Sequence, residues 1–328
     1  MFIAEDRFIT VKVNYVNQMH KIRNLPKFFL FMVAAAILFF AGSASAAEKL
    51  LQGGDDVLLE TYHSIEIKLE KNSFGVPLYL ESSDQYGRVH VDVYGIFNYP
   101  FDSVIGVLKV PSNWCDIISI HPNIKACTYR ELPGVWQLTF YSGRKVYQSP
   151  EKAYQSTYSF RNVEQTQGYL DIVLSADEGP FGTKDHRLKF EALPLDRART
   201  FVHVGYSYSY TFSFRLAENI YFTTLGLGKV GFTVTGTDRN GKPVYIGGPR
   251  GAIERNAVRY YFAIQSFMDT LHYSEESRFS MRISRWYDLT SRYRKQLFEM
   301  EKKDYLTFKT KEHKNQVMLQ RRIGTGLR

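Results

Sequence analysis

The feature that most limits the fold is a stretch of about 90 residues in which one strand-like segment follows another with almost nothing between them. The segments are Ile124–Arg130, Val135–Ser142, Ala153–Val163, Tyr169–Asp177, Lys184–Leu195 and Arg199–Thr211. They are separated by Pro133-Gly134, Ser149-Pro150, Gln167-Gly168 and Gly179-Pro180-Phe181-Gly182. Parallel neighbours need a crossover of a dozen residues or more, usually a helix, and these breakers are far shorter. The segments therefore predict an antiparallel meander.

Upstream, Ile65–Lys71 and Pro77–Glu81 read as short strands. Arg88–Phe97 alternates, with Val89, Val91 and Val93 on one side and Arg88, His90 and Asp92 on the other, which predicts a half-buried strand. After Tyr99-Pro100-Phe101-Asp102, the spacing of Phe101, Val104, Ile105 and Leu108 predicts a helix, and Pro111-Ser112 opens a second one through Trp114, Ile117 and Ile118. Residues 213–250 interrupt the pattern. Phe214, Leu216, Ile220, Tyr221 and Leu225 predict an apolar helix, and Asn240-Gly241 predicts a hairpin between Phe232–Thr235 and Val244–Ile246. A long helix follows from Ala252 to Tyr273, striped by Ile253, Ala257, Tyr260, Tyr261, Ile264, Phe267, Met268 and Leu271. In the tail, Phe279, Ile283, Trp286, Tyr293, Leu297 and Met300 fall on a heptad flanked by arginines, and no pattern extends beyond Phe308, where disorder is expected.

One strand, two short helices, a long meander and a long C-terminal helix, together with Tyr99-Pro100-Phe101-Asp102-Ser103-Val104 and Trp114-Cys115-Asp116, resemble START-related and polyketide-cyclase-like domains, the SRPBCC superfamily. The resemblance covers about residues 65–273. It implies an α+β helix-grip fold: a curved antiparallel sheet wrapped around a long C-terminal helix, with a cavity between them. The chain departs from the family pattern in the inserted helix-hairpin at 213–250 and in the extra C-terminal helix.

The N-terminus reads as an export signal. Lys21, Arg23 and Lys27 precede an apolar run from Phe28 to Ala41, and Ala44-Ser45-Ala46 forms a small-x-small cleavage pattern. The run has 14 residues, against roughly 20 for a spanning helix. Met19 reads as the start of this signal, with residues 1–18 an extension ahead of it. The expected organisation is a signal peptide at 1–46, a START-like domain at 47–273 with the insert at 213–250, and a basic amphipathic helical tail at 274–328. The exported protein is expected in the periplasm.

Charge supports this division. Residues 47–273 carry 23 basic and 24 acidic groups, whereas 274–328 carry 14 and 7. A near-neutral main domain lacks the basic face that nucleic acid requires. The only cysteines are Cys115 and Cys127; an even count in an exported chain predicts a disulfide.

Gly226-Leu227-Gly228-Lys229-Val230-Gly231 matches the dinucleotide fingerprint in letters, but it lies between a helix and a strand, the reverse of the required order, and reads as a hinge. There is no Gly-x-Ser-x-Gly elbow and no His-Glu-x-x-His pair. The pairs Asp116/His121 and His186/His203 are candidates for acid–base work, but no residue is assigned as catalytic and no metal or cofactor is expected. The strand with Val202, Val204, Tyr206, Tyr208 and Tyr210 on one side offers apolar area with hydroxyls that can orient a ligand. Arg255 and Arg259, early in the long helix, either pair with carboxylates or meet an anionic group. The cavity that the resemblance implies would be lined by Trp114, Val204, Tyr206, Tyr208, Tyr210, Arg255, Arg259, Tyr261 and Ile264. The expected function is binding of a hydrophobic small molecule or lipid, with 213–250 as a lid. The alternatives are a membrane- or partner-binding protein acting through the tail, and a cyclase- or dehydratase-type enzyme.

Overall fold

A computed structural model describes residues 53–210 and 228–324. Eight antiparallel strands form one sheet: β1 (Leu78–Gln85), β2 (Arg88–Phe97), β3 (Ile124–Leu132), β4 (Val135–Ser142), β5 (Tyr154–Gln165), β6 (Leu170–Glu178), β7 (Lys184–Pro194) and β8 (Thr200–Ser209). Their order across the sheet is β1-β2-β8-β7-β6-β5-β4-β3. The meander from β3 to β8 lies in chain order, as the short breakers require, and β2 closes against β8 with Val93 opposite Val204 and Gly95 opposite Val202.

One face of this sheet grips the long helix α4 (Gly248–Asp269). From the meander, Leu138, Phe160, Ile172, Phe190 and Val204 share a core with Ile253, Ala257, Tyr261, Ile264 and Phe267 of α4. The short helices α2 (Phe101–Leu108) and α3 (Pro111–Ile118) join that core through Val104, Leu108 and Trp114. At Gly95 the absence of a side chain is required: an added Cβ would collide with the Tyr261 ring. The architecture is the expected α+β helix grip. Cys115 of α3 and Cys127 of β3 are joined in the expected disulfide.

Three expectations change. Residues 65–71 are not a strand; they end helix α1 (Gly54–Glu70), which covers the opposite, convex face. Its buried Leu58, Ile65 and Leu69 form a second core with Tyr94, Tyr169, Leu193 and Phe201, while Ile67 is 71% exposed. The disorder expected after Phe308 is not found among the described residues, because α7 (Lys302–Gly324) is a continuous helix. The tail is not a free amphipathic element either. Its seam residues Ile283 and Trp286 on α5 (Glu275–Thr290) and Leu297 on α6 (Arg294–Leu297) are buried in the main core. The seam therefore packs back on the main core.

Helix α7 seals the sheet edge. β3 is a terminal strand, and its outward backbone groups would otherwise be open to pairing with another chain. Gln316 accepts from the Cys127 amide at 2.8 Å; Gln320, one turn on, accepts from the Tyr129 amide and donates to its carbonyl, both at 2.9 Å. Lys309 donates to the carbonyls of His121 and Ile124.

The inserted hairpin is present as β9 (Val234–Thr237) and β10 (Pro243–Tyr245), turning through Gly241 at φ +76°. Its base is fixed to α4: the buried Glu254 accepts from the amides of Phe232 and Thr233 and from the hydroxyls of Thr233 and Ser82. Gly231 packs so close to Gly251 and Ile246 that a side chain there would clash, so this glycine serves close packing and not a hinge. The apolar helix expected over 214–225 lies outside the described residues. Among the described residues, no helix is long and apolar enough to cross a membrane.

Candidate ligand-binding site in the helix grip

Strand alternation fixes which side chains meet α4. On β8, Val202, Val204, Tyr206, Tyr208 and Tyr210 point to the gripped face, and Phe201 and His203 to the convex face. The gripped face changes character along the strands. Val202, Val204, Phe190 and Ile172 are fully buried, whereas Tyr206, one step further along β8, keeps accessible surface. Around it stand Tyr158 of β5, His186 of β7 and Tyr260 of α4. The Tyr206 ring lies edge-on to Tyr260 at 5.9 Å, and His186 stacks on Tyr208 at 5.3 Å.

These polar groups form a directed chain. Thr183 donates its hydroxyl to the Pro180 carbonyl at 2.7 Å, so its oxygen accepts from His186 Nε2 at 2.8 Å. Nδ1 of the neutral ring is then an acceptor, and Tyr206 donates to it at 3.1 Å. Burial pushes the His186 pKa down to about 4, with Asp185 opposing, so the ring is neutral at physiological pH. Tyr158 stands beside the same histidine, its ring edge-on to His186 at 6.3 Å. Burial raises both phenols, so neither ionises near neutral pH. The chain thus ends at Tyr206, whose proton is committed to His186 and whose oxygen keeps acceptor lone pairs. Ser156, two residues from Tyr158 on the same face, has a buried Oγ with no hydrogen-bond partner among the described residues.

The structure brings together only part of the expected site. Tyr206 and Tyr208 belong to the tyrosine–histidine cluster. Val204, Tyr261 and Ile264 lie in the packed core, and Tyr210 donates to Asp84 at the sheet rim at 2.6 Å. Trp114 is wholly buried, donates to the Leu108 carbonyl and packs against Phe160 and Phe190. Arg255 is buried on α4 one turn before Arg259. Arg259 does pair with a carboxylate, Glu299 at 2.5 Å, which comes from the tail and not from the sheet. Tyr158 and Tyr260 were not singled out as site residues; they become neighbours of Tyr206 only through strand pairing and helix packing.

Neither acid–base pair assembles. Asp116 is bound to Arg282 at 3.1 Å, while His121 is buried against Tyr260. His186 and His203 sit on paired strands but on opposite faces. His203 lies on the convex side between Asp92 at 2.7 Å and Glu191 at 2.6 Å, stacked on Tyr94. Burial opposes its charge, but hydrogen bonds to Asp92 and Glu191 raise its pKa to about 9. Tyr169 and Lys189 also bind Glu191, so this network anchors the convex face. No group of residues suited to hold a metal ion occurs among the described residues.

No protein-family model matches the chain, and no curated protein does. Similar solved structures include a STAR-related lipid transfer protein from Xanthomonas axonopodis, 13% identical, covering 45% of this chain and 86% of its own, at a TM-score of 0.30. Human StAR-related lipid transfer protein 5 is 10% identical over 56% of this chain and 90% of its own, with a TM-score of 0.29. The Zhui aromatase/cyclase from Streptomyces is 12% identical over 61% of this chain and 93% of its own, with a TM-score of 0.27.

Proposed function

We propose that the chain is an exported binding protein for a hydrophobic molecule carrying a polar group, held between the sheet and α4. The observation that carries this reading is the accessible surface of Tyr206 within the gripped face, beside hydroxyls whose donor direction is fixed. An apolar wall supplies affinity, and a few convergent polar atoms orient the ligand. The Tyr206 oxygen would receive a donor from the ligand, such as a hydroxyl. Export rests on the leader pattern in residues 21–46 and fits the Cys115–Cys127 disulfide, because such bonds persist in oxidising compartments. The test is native mass spectrometry of the purified protein, followed by uptake of a long-chain alcohol. Binding that weakens about tenfold in Tyr206→Phe, as loss of a buried hydrogen bond predicts, supports the reading. A protein that carries no hydrophobic molecule and takes none up refutes it. The same chain of groups favours a second reading, cyclase- or dehydratase-type catalysis in which the Tyr206 oxygen takes a substrate proton as it passes its own to Nδ1 of neutral His186. Turnover lost in Tyr206→Phe while binding persists would select it.

A further inference from the structure

Three cations from three separate parts of the chain converge on one carboxylate. Lys145, in the connection between β4 and β5, reaches Glu299 Oε1 at 2.7 Å; Lys229, ahead of the inserted hairpin, reaches Oε2 at 3.0 Å; and Arg259 of α4 reaches Oε1 at 2.5 Å. Glu299 and Arg259 are only 7% and 2% exposed, whereas the two lysines are 31% and 30% exposed, so the cluster reaches solvent from a buried base. One carboxylate against three cations leaves the cluster with excess positive charge. Arg259 Nε is buried without a hydrogen-bond partner among the described residues. Structural ion pairs usually balance their buried charge, because uncompensated charge is costly. Burial and the neighbouring cations lower the His121 pKa, so that ring adds no further charge.

We propose that Lys145, Lys229 and Arg259 form a binding site for an anionic group, a carboxylate or phosphate, and that Glu299 occupies it as an internal stand-in. A planar carboxylate matches the guanidinium fork, and the two lysines supply point charges to its outer oxygens. Glu299 lies in the short connection between α6 and α7, so a ligand anion can take its place without unwinding either helix. The site stands on its own geometry; that its anion is the head of the molecule held in the grip rests on the function proposed above. The two regions adjoin through α4, where Arg259 is followed by Tyr260, which contacts both His121 and Tyr206.

The experiment titrates the full oxidised chain with hexadecanoate, hexadecanol and inorganic phosphate at constant ionic strength, by calorimetry. The expected result is that hexadecanoate binds on the order of tenfold or more tighter than hexadecanol, as charge-assisted bonds predict. Lys145→Met and Lys229→Met should each erode that preference while leaving hexadecanol binding unchanged, and Glu299→Gln should strengthen hexadecanoate binding by removing the competitor. Phosphate binding without either long-chain compound would uphold the anion site for a free anion and refute the hydrophobic reading. Equal binding of the two long-chain compounds, with no phosphate bound, would overturn the anion site and leave the proposed function standing. Failure of all three probes to bind would overturn both. The two lysine variants keep the test decisive if Glu299→Gln fails to fold, because each removes a partly exposed side chain.

Discussion

Replacing Glu312 by Gln tests whether the last helix is part of the fold. Glu312 lies between Lys125 of β3 at 2.7 Å and Lys309 of its own helix at 2.6 Å, and all three side chains are at most 3% exposed. The ammonium groups also reach the carbonyls of Pro122, Val146, His121 and Ile124, so the substitution removes charge more than hydrogen bonds. Breaking a buried pair by neutralising one partner costs about 3–5 kcal/mol at pH 7, on the order of 10 °C in Tm for a domain of this size. The pH dependence has a definite sign. Burial lowers the Lys309 pKa from 10.5 to about 8, with Glu312 opposing and Lys125 adding to the fall. Between those values the unfolded chain binds more protons at Lys309, so this lysine's contribution to stability rises with pH from about 8 and is flat below. Without Glu312 the lysines deprotonate at lower pH. The deficit of the variant should therefore shrink as pH rises toward about 8, by at most about 1.4 kcal/mol per pH unit through Lys309, then level off. Urea unfolding at half-unit steps from pH 6 to 9 measures both effects. A deficit under about 1 kcal/mol, or one independent of pH, refutes the reasoning.

Three further outcomes are expected. Native oxidised protein should show no free thiol after unfolding without reductant, and Cys115→Ser/Cys127→Ser should lose about 3 kcal/mol in urea, given the short loop of sequence separation 12. Gly95→Ala should cost about 1–3 kcal/mol by overpacking against Tyr261; a double-mutant cycle with Tyr261→Ala should recover most of it, and simple additivity would discount the contact. His203 has a raised pKa, so its stabilisation is complete below its ordinary 6.5 and is lost as pH rises through about 9. The stability gap between wild type and His203→Gln should fall by about 3 kcal/mol between pH 6 and 10, and a constant gap would exclude a charged His203.

The strands were legible because their apolar positions alternate and their breakers are turn residues; β2 and β4 lie at the expected bounds. α1 was not, because Ile65, Ile67 and Leu69 alternate with Glu66, Lys68 and Glu70 like a strand. The helix buries Leu58, Ile65 and Leu69 instead, a stripe at helical spacing. α7 was hidden for a different reason. Its buried positions, Tyr305, Lys309, Glu312 and Gln316, have helical spacing but are mostly polar, and hydropathy does not register a face buried through hydrogen bonds and ion pairs. The face of β8 that meets α4 was readable from Val and Tyr alternation. The hydrogen-bond chain was not, since Thr183, His186 and Tyr206 come from a turn and two different strands. The three cations at Glu299 are likewise spread over more than 100 residues, and only folding gathers them.

The seal on β3 also sets an order of events. The glutamines that occupy its backbone lie 189 and 191 residues further along the chain. A chain crossing a membrane from its N-terminus would complete all eight strands while that margin of the sheet was still unguarded. Until the C-terminal helix arrives, a second nascent copy could add to β3 as a ninth strand. A chain interrupted before residue 316 would hold every element of the grip and still lack the part that covers β3, so prematurely terminated products would be expected to associate through that edge more readily than the full-length protein.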